Sequence, residues 1–159
     1  MRVSEVVRLS VQQSIFAFIY ETLPRIIAID YGTKRTGLAT TDPLKIIATA
    51  LDTVRSFEVI NYLKKYAEKE AIEAFVVGMP KKLDNTDTNN TAHVVGFIRQ
   101  LKKAFPDINV FEHDERFTSK IALQSMIMSG TSKSDRRDKA NIDKVSATII
   151  LQSFLESQQ

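Results

Sequence analysis

The chain has 159 residues, 43% of them hydrophobic, which suits one packed domain and leaves too little for two. The absence of cysteine excludes a disulfide scaffold, thiolate zinc sites and a cysteine nucleophile, and fits a reducing cytoplasm. A net charge of +3 is too mild to argue for a nucleic-acid partner, so the distribution of charge has to carry that question.

Residues 1–24 read as an N-terminal extension, helical or partly disordered, ahead of a single domain over residues 25–157. Within the extension, Ile15 to Tyr20 (IFAFIY) follows Arg2 and Arg8 as a signal core would. The run is shorter than such a core, has no small-residue cleavage site after it, and falls far below the ~20 apolar residues that span a bilayer. With no other long apolar run, the reading is a protein without a membrane association.

Pro24 ends the extension, and Arg25 to Asp30 (RIIAID) forms a short β-branched strand stopped by Tyr31-Gly32. Thr33 to Thr41 follows at hairpin distance, and Ile46 to Thr53 follows the turn signal Asp42-Pro43. Three strands in series predict an antiparallel meander. The apolar period then lengthens through Phe57, Ile60, Leu63 and Ala67, so Ser56 to Glu70 predicts an amphipathic helix with Ser56 as its cap.

Ala74 to Val77 is wholly apolar and stops at Gly78-Met79-Pro80, as a central strand covered on both faces should. Asp84 to Asn90 is a polar loop, and the stripe Ala92, Val95, Ile98, Leu101, Phe105 is a helix that Pro106 ends. Asn109 to Glu112 is another strand. Thr118 caps a helix with Ile121, Ala122, Ser125, Met126 and Ser129 on one face, closed by Gly130. Ile142, Val145, Ile149 and Phe154 mark a last helix of about four turns. The order predicts an α/β fold: a mixed five-stranded sheet, part meander and part parallel, with helices on both faces.

Asp30 ends the first strand just before a glycine turn, which brings a carboxylate to the sheet rim on rigid backbone. Taken alone it reads equally as a turn aspartate bonding the amides of Gly32 or Thr33. Asp114 and Glu115 end another strand whose carboxyl end lies at the same edge in a parallel arrangement, the usual place for a site in α/β architecture. Successive residues face opposite ways, so one of the two points inward, and the residues alone do not say which. Asp143 lies on the last helix, one turn from Lys139 and Ala147, with pairing to Lys139 as the plain structural alternative.

Three acids reaching one rim from three elements, in a chain with no alternative nucleophile machinery, suit a two-metal site for phosphodiester hydrolysis. Only His93 and His113 offer imidazole, so oxygen ligands dominate and Mg²⁺, or Mn²⁺, is the expected cofactor. Lys34, Arg35, Arg116, Arg136, Arg137 and Lys139 lie beside the acids and are candidates for phosphate contact. The last three belong to the charged stretch Lys133 to Lys144, with five basic and three acidic residues, which reads as readily as a solvated loop.

The runs AIDYGTKRTGLA (Ala28 to Ala39), VVGMP (Val76 to Pro80), HDERFTS (His113 to Ser119) and DKANIDKVSATIILQSFLE (Asp138 to Glu156) resemble, in order and spacing, the four motif blocks of the YqgF (RuvX) family. The resemblance covers residues 25–157 and implies a ribonuclease H-like fold. It implies a cytoplasmic nuclease that matures the 5′ end of the small-subunit (16S) ribosomal RNA precursor or, alternatively, resolves Holliday junctions. It places the metal-binding acids on Asp30, on Glu115 with Asp114 as alternative, and on Asp143, and sets Arg116 and Lys139 at the basic positions beside them. Structured RNA and branched DNA both remain open as substrates, as do endo- and exonucleolytic action, and the expected state is a monomer or weak homodimer. Two rivals stand against this reading. AIDYGTKRTG also resembles the phosphate loop of actin-like ATPases, whose fold needs two such domains, and a non-catalytic RNA-binding module is the other.

Overall fold

The computed structural model of the chain describes residues 14–15, 18–20, 22–80, 90–114, 118–130, 132–134 and 138–158. Five strands, β1 (Arg25–Tyr31), β2 (Arg35–Thr41), β3 (Ala48–Arg55), β4 (Ile72–Met79) and β5 (Asn109–Asp114), form one sheet in the order β3-β2-β1-β4-β5. β1, β2 and β3 pair antiparallel, whereas β4 pairs parallel with β1 and β5 parallel with β4. The meander and the parallel half are therefore joined at β1, the central strand. The carboxyl ends of β1, β4 and β5, the start of β2 and the end of β3 all lie along one rim.

Strand alternation sorts the core into two layers. Ile27 and Ile29 of β1, Leu38 of β2 and Phe75 and Val77 of β4 pack with Val59 and Leu63 of α1 (Val59–Ala67) and Val94, Phe97, Ile98 and Leu101 of α2 (Thr91–Ala104). Ile26 and Ala28, Ala39, and Ala74 and Val76 face the other way, onto Ala147, Ile150, Leu151 and Phe154 of α4 (Lys139–Ser157). The alanines on this second face let α4 lie close against the sheet. The remaining helix, α3 (Thr118–Met128), packs on α4 and buries Ala122 and Met126.

Most sequence-predicted elements appear within a few residues of their expected bounds. Two differ for identifiable reasons. Ser56 does not cap a helix: a 3₁₀ turn over Ser56–Glu58 precedes α1, and the buried Ser56 hydroxyl donates to the Gly32 carbonyl at 2.6 Å, with Thr36 Oγ1 at 3.0 Å. The last helix has 19 residues rather than four turns, because Asp138 accepts the Ala140 amide at 2.9 Å and starts the helix inside the charged stretch. Gly130, at φ 75°, does close α3 as expected. In the N-terminal extension Ser14, Ile15, Phe18, Ile19, Tyr20 and Thr22 are helical. The polar loop is described only at Asn90.

Candidate active site

The rim is built around the β1–β2 turn. Gly32 donates its amide to the Arg35 carbonyl at 3.0 Å, and a Cβ at Gly32 would stand 2.6 Å from that oxygen, so the turn requires glycine. Ser56, the residue after β3, holds the turn through its backbone: its amide donates to the Lys34 carbonyl at 3.2 Å. On the other side, the Asn90 amide group at the start of α2 donates to the Tyr31 carbonyl at 3.2 Å. Tyr31 itself stacks on Phe97 with ring centroids 4.2 Å apart. The end of β1, and Asp30 with it, is thus fixed from both flanks.

Asp30 is half-buried and follows Ile26 and Ala28 on the α4 side of β1 by strand alternation. Its partner across the antiparallel pair is Gly37. A Cβ on Gly37 would stand 2.1 Å from the backbone oxygen of Asp143, so α4 rests directly on the bare strand there. Antiparallel partners lie about 5 Å apart between Cα atoms. Asp30 and Asp143 are consequently neighbours on one face, separated by a residue without a side chain. The β1–β4 register, Ala28↔Val76 and Ile29↔Val77, continued by one residue brings Gly78 to the other side of Asp30. Glycines then stand on both sides of Asp30, and the α4 backbone at Asp143 occupies the space above one of them, Gly37.

The Asp143 carboxylate accepts from Arg35 Nε at 3.0 Å rather than pairing with Lys139, the partner that helical spacing suggested. The two side chains are 41% and 26% exposed, and a half-exposed pair of this kind contributes no more than ~1 kcal/mol. Thr53 of β3 reinforces the helix start, its hydroxyl donating to the Ala140 carbonyl at 2.8 Å.

On β5, Phe111 and His113 face α4, where Phe111 meets Phe154 at 5.4 Å and His113 Nε2 lies 2.9 Å from Ser153 Oγ. Alternation therefore turns the exposed Asp114 to the opposite face. His113 is held below the usual imidazole range by burial, with the neighbouring Asp114 charge opposing.

The sequence-predicted residues thus divide. Asp143 pairs with Arg35, and its backbone lies over Gly37, the strand partner of Asp30; Asp114 follows His113 on the face away from α4, and Lys34 and Lys139 are exposed. Glu115, Arg116, Arg136 and Arg137 lie outside the described residues. Among the described residues no three His, Cys, Asp or Glu side chains converge closely enough to hold a metal ion. Sequence reasoning missed Arg55, the exposed end of β3, which the register sets directly opposite Arg35. That register passes an irregularity at Leu38/Ala39, so no strand count in the sequence could have found it.

Comparison with known proteins is consistent along the chain. A family profile described as "RuvX: Holliday junction resolvase" matches residues 24–157. A curated protein of Phocaeicola vulgatus named "Putative pre-16S rRNA nuclease" is 50% identical over 137 residues, 86% of this chain and 99% of that protein. One of the same name from Amoebophilus asiaticus is 52% identical over 133 residues, 84% of this chain and 94% of its own. Among solved structures, "T. thermophilus RuvC in complex with Holliday junction substrate" matches with a TM-score of 0.50 at 17% identity, covering 85% of this chain and 95% of that one. At that identity the likeness is one of fold.

Proposed function

The chain belongs to the RuvX family of nucleases, with a ribonuclease H-like fold, and from that premise we propose that it is a divalent-metal-dependent enzyme cutting phosphodiester bonds in structured nucleic acid. The 5′ end of the 16S rRNA precursor is the favoured substrate, on the names of relatives aligned over nearly their whole length. Holliday junctions are the second reading, favoured by the description of the matching family as Holliday junction resolvases.

One observation carries the proposal: the α4 backbone at Asp143 rests on Gly37, the strand partner of Asp30, which puts two acids distant in sequence at neighbouring positions of one rim. Glu115 is the third acid. The resemblance to the family gives Asp114 as its alternative, and Phe111 and His113 face α4, so alternation turns Asp114 to the opposite face. The donor set is oxygen only, which fits a small hard cation; Mg²⁺ suits it best and Mn²⁺ is an acceptable substitute. Bound there, such ions would activate a water and offset charge on the leaving oxygen. The chain's own contribution is to hold Asp30 and Asp143 at a fixed spacing and to receive phosphates on Lys34, Arg35, Arg116, Arg136, Arg137 and Lys139.

An actin-like phosphotransferase is set aside, since the matched family accounts for residues 24–157 as one unit. Among the described residues no helix is long and apolar enough to cross a membrane, and a cytoplasmic monomer or weak homodimer completes the proposal.

The test is a matched set of ribosomal precursor, plain duplex and four-way junction, incubated with Mg²⁺, Mn²⁺ or chelator and with wild type or Asp30→Asn. Wild type should cut the precursor with either metal, and Asp30→Asn should bind it but not cut. Binding without cleavage by wild type under every condition would instead support a non-catalytic module.

A further inference from the structure

Arg35 and Arg55 are directly opposite one another on β2 and β3, at the rim and beside Asp143. Like charges on facing strand positions repel, so the arrangement is unfavourable unless an anion lies between or above them. At present one anion is Asp143, which among the described residues accepts from Arg35. Among the described residues Arg55 makes no ion pair, and it is exposed at the end of an edge strand. Arginine forks match phosphate oxygens in geometry as well as charge.

We infer that Arg35 and Arg55 form a phosphodiester-binding pair that Asp143 holds half-occupied until a divalent cation takes its carboxylate. The inference rests on the metal-dependent nuclease reading and adds to it a second role for Asp143. In the metal-free protein the Arg35 guanidinium neutralises Asp143, which would otherwise face Asp30 as a like charge. A cation arriving at the two carboxylates supplies that neutralisation itself. Arg35 is then released to join Arg55 on a backbone phosphate next to the bond to be cut. The weak, half-exposed ion pair makes the exchange easy.

Such an exchange couples two binding events. Metal should tighten nucleic-acid binding and nucleic acid should tighten metal binding by the same factor, typically ~5- to 150-fold for coupled sites. The experiment measures Mn²⁺ affinity by paramagnetic resonance with and without a hydrolysis-resistant RNA duplex, and duplex affinity across a salt series with and without Mn²⁺. It is run on full-length wild type, Arg35→Gln, Arg55→Gln and Asp30→Asn, each checked for an unchanged thermal melt. Should Arg35→Gln fail to fold, Arg35→Met, which also removes the charge but keeps the length of the side chain, reads the same coupling.

Arg35→Gln should bind Mn²⁺ alone as tightly as wild type or more so, and its coupling should fall below about twofold. Arg55→Gln should leave Mn²⁺ binding alone unchanged and lower the salt slope of duplex binding by about one unit in the Mn²⁺ form. Weaker Mn²⁺ binding in Arg35→Gln, coupling of wild-type size in that variant, or an unaltered salt slope in Arg55→Gln would overturn the inference. The Asp30→Asn arm reports separately on the parent reading: unchanged Mn²⁺ binding there removes the metal site, whatever the arginine variants do.

Discussion

Gly37→Ala tests the link between packing and chemistry with a single methyl group. A Cβ at this position would stand 2.1 Å from the Asp143 backbone oxygen, 2.4 Å from its carbonyl carbon and 3.2 Å from its Cα. The first of these is roughly 1.3 Å short of the 3.4 Å at which ordinary contact begins, and the obstacle is helix backbone, which cannot rotate aside. Either α4 lifts off the sheet by about that distance or β2 bends. Overpacking of this kind costs about 1–3 kcal/mol. For a chain of this size that lowers Tm by about 2–12 °C. The functional effect should be larger, because a misplacement near 1 Å can reduce rate about a hundredfold, and here the displaced element carries Asp143. Gly96→Ala is the control: it lies within α2, its Cβ would meet nothing within 4 Å, and alanine there should stabilise the helix by about 0.5–1 kcal/mol. Differential scanning fluorimetry and initial cleavage rates read both variants. A Gly37→Ala protein with wild-type melting and wild-type rate would refute the close approach of α4 to β2.

Ser56→Ala removes a buried hydroxyl that donates to Gly32 and contacts Thr36, and leaves the turn carbonyl unsatisfied. A loss of about 1–3 kcal/mol in denaturant unfolding is expected, and a change within error would show the turn to be held by other contacts. His113 has its pKa lowered from 6.5 by burial. The unfolded chain therefore binds its proton first, so stability should be full above that value and decline as pH falls below it toward the folded pKa. His113→Gln should flatten the unfolding free energy over that interval, and an unchanged pH slope would mean the imidazole is not desolvated. Asp30→Asn should retain the wild-type fold by circular dichroism while losing metal-dependent cleavage; retained turnover would take Asp30 out of the mechanism.

Much of the fold is legible because its signals are local. RIIAID reads as a buried strand, AFVV as a covered one and Pro106 as a helix stop, and the structure places β1, β4 and the end of α2 accordingly. What stayed hidden depends on contacts between elements. Ser56 follows the pattern of a helix cap, yet its hydroxyl is drawn to the Gly32 carbonyl by the folding of β3 against β2. Asp143 and Lys139 have the spacing of a helix pair, but the sheet presents Arg35 at 3.0 Å and that contact prevails. The pairing of Arg35 with Arg55 requires the β2–β3 register, which an irregularity shifts. The acids themselves were legible as strand-end and helix carboxylates. The reason Asp30 and Asp143 meet, a glycine opposite one and beneath the other, emerges only from strand pairing and helix packing together.

The central claim is that Asp30 and Asp143 share a divalent cation. Anomalous diffraction from crystals soaked in Mn²⁺ tests it directly. The account expects a manganese peak within coordination distance, about 2.2 Å, of oxygens from both carboxylates, with Arg35 withdrawn from Asp143. A peak bound by other residues, or none at saturating Mn²⁺, would contradict it.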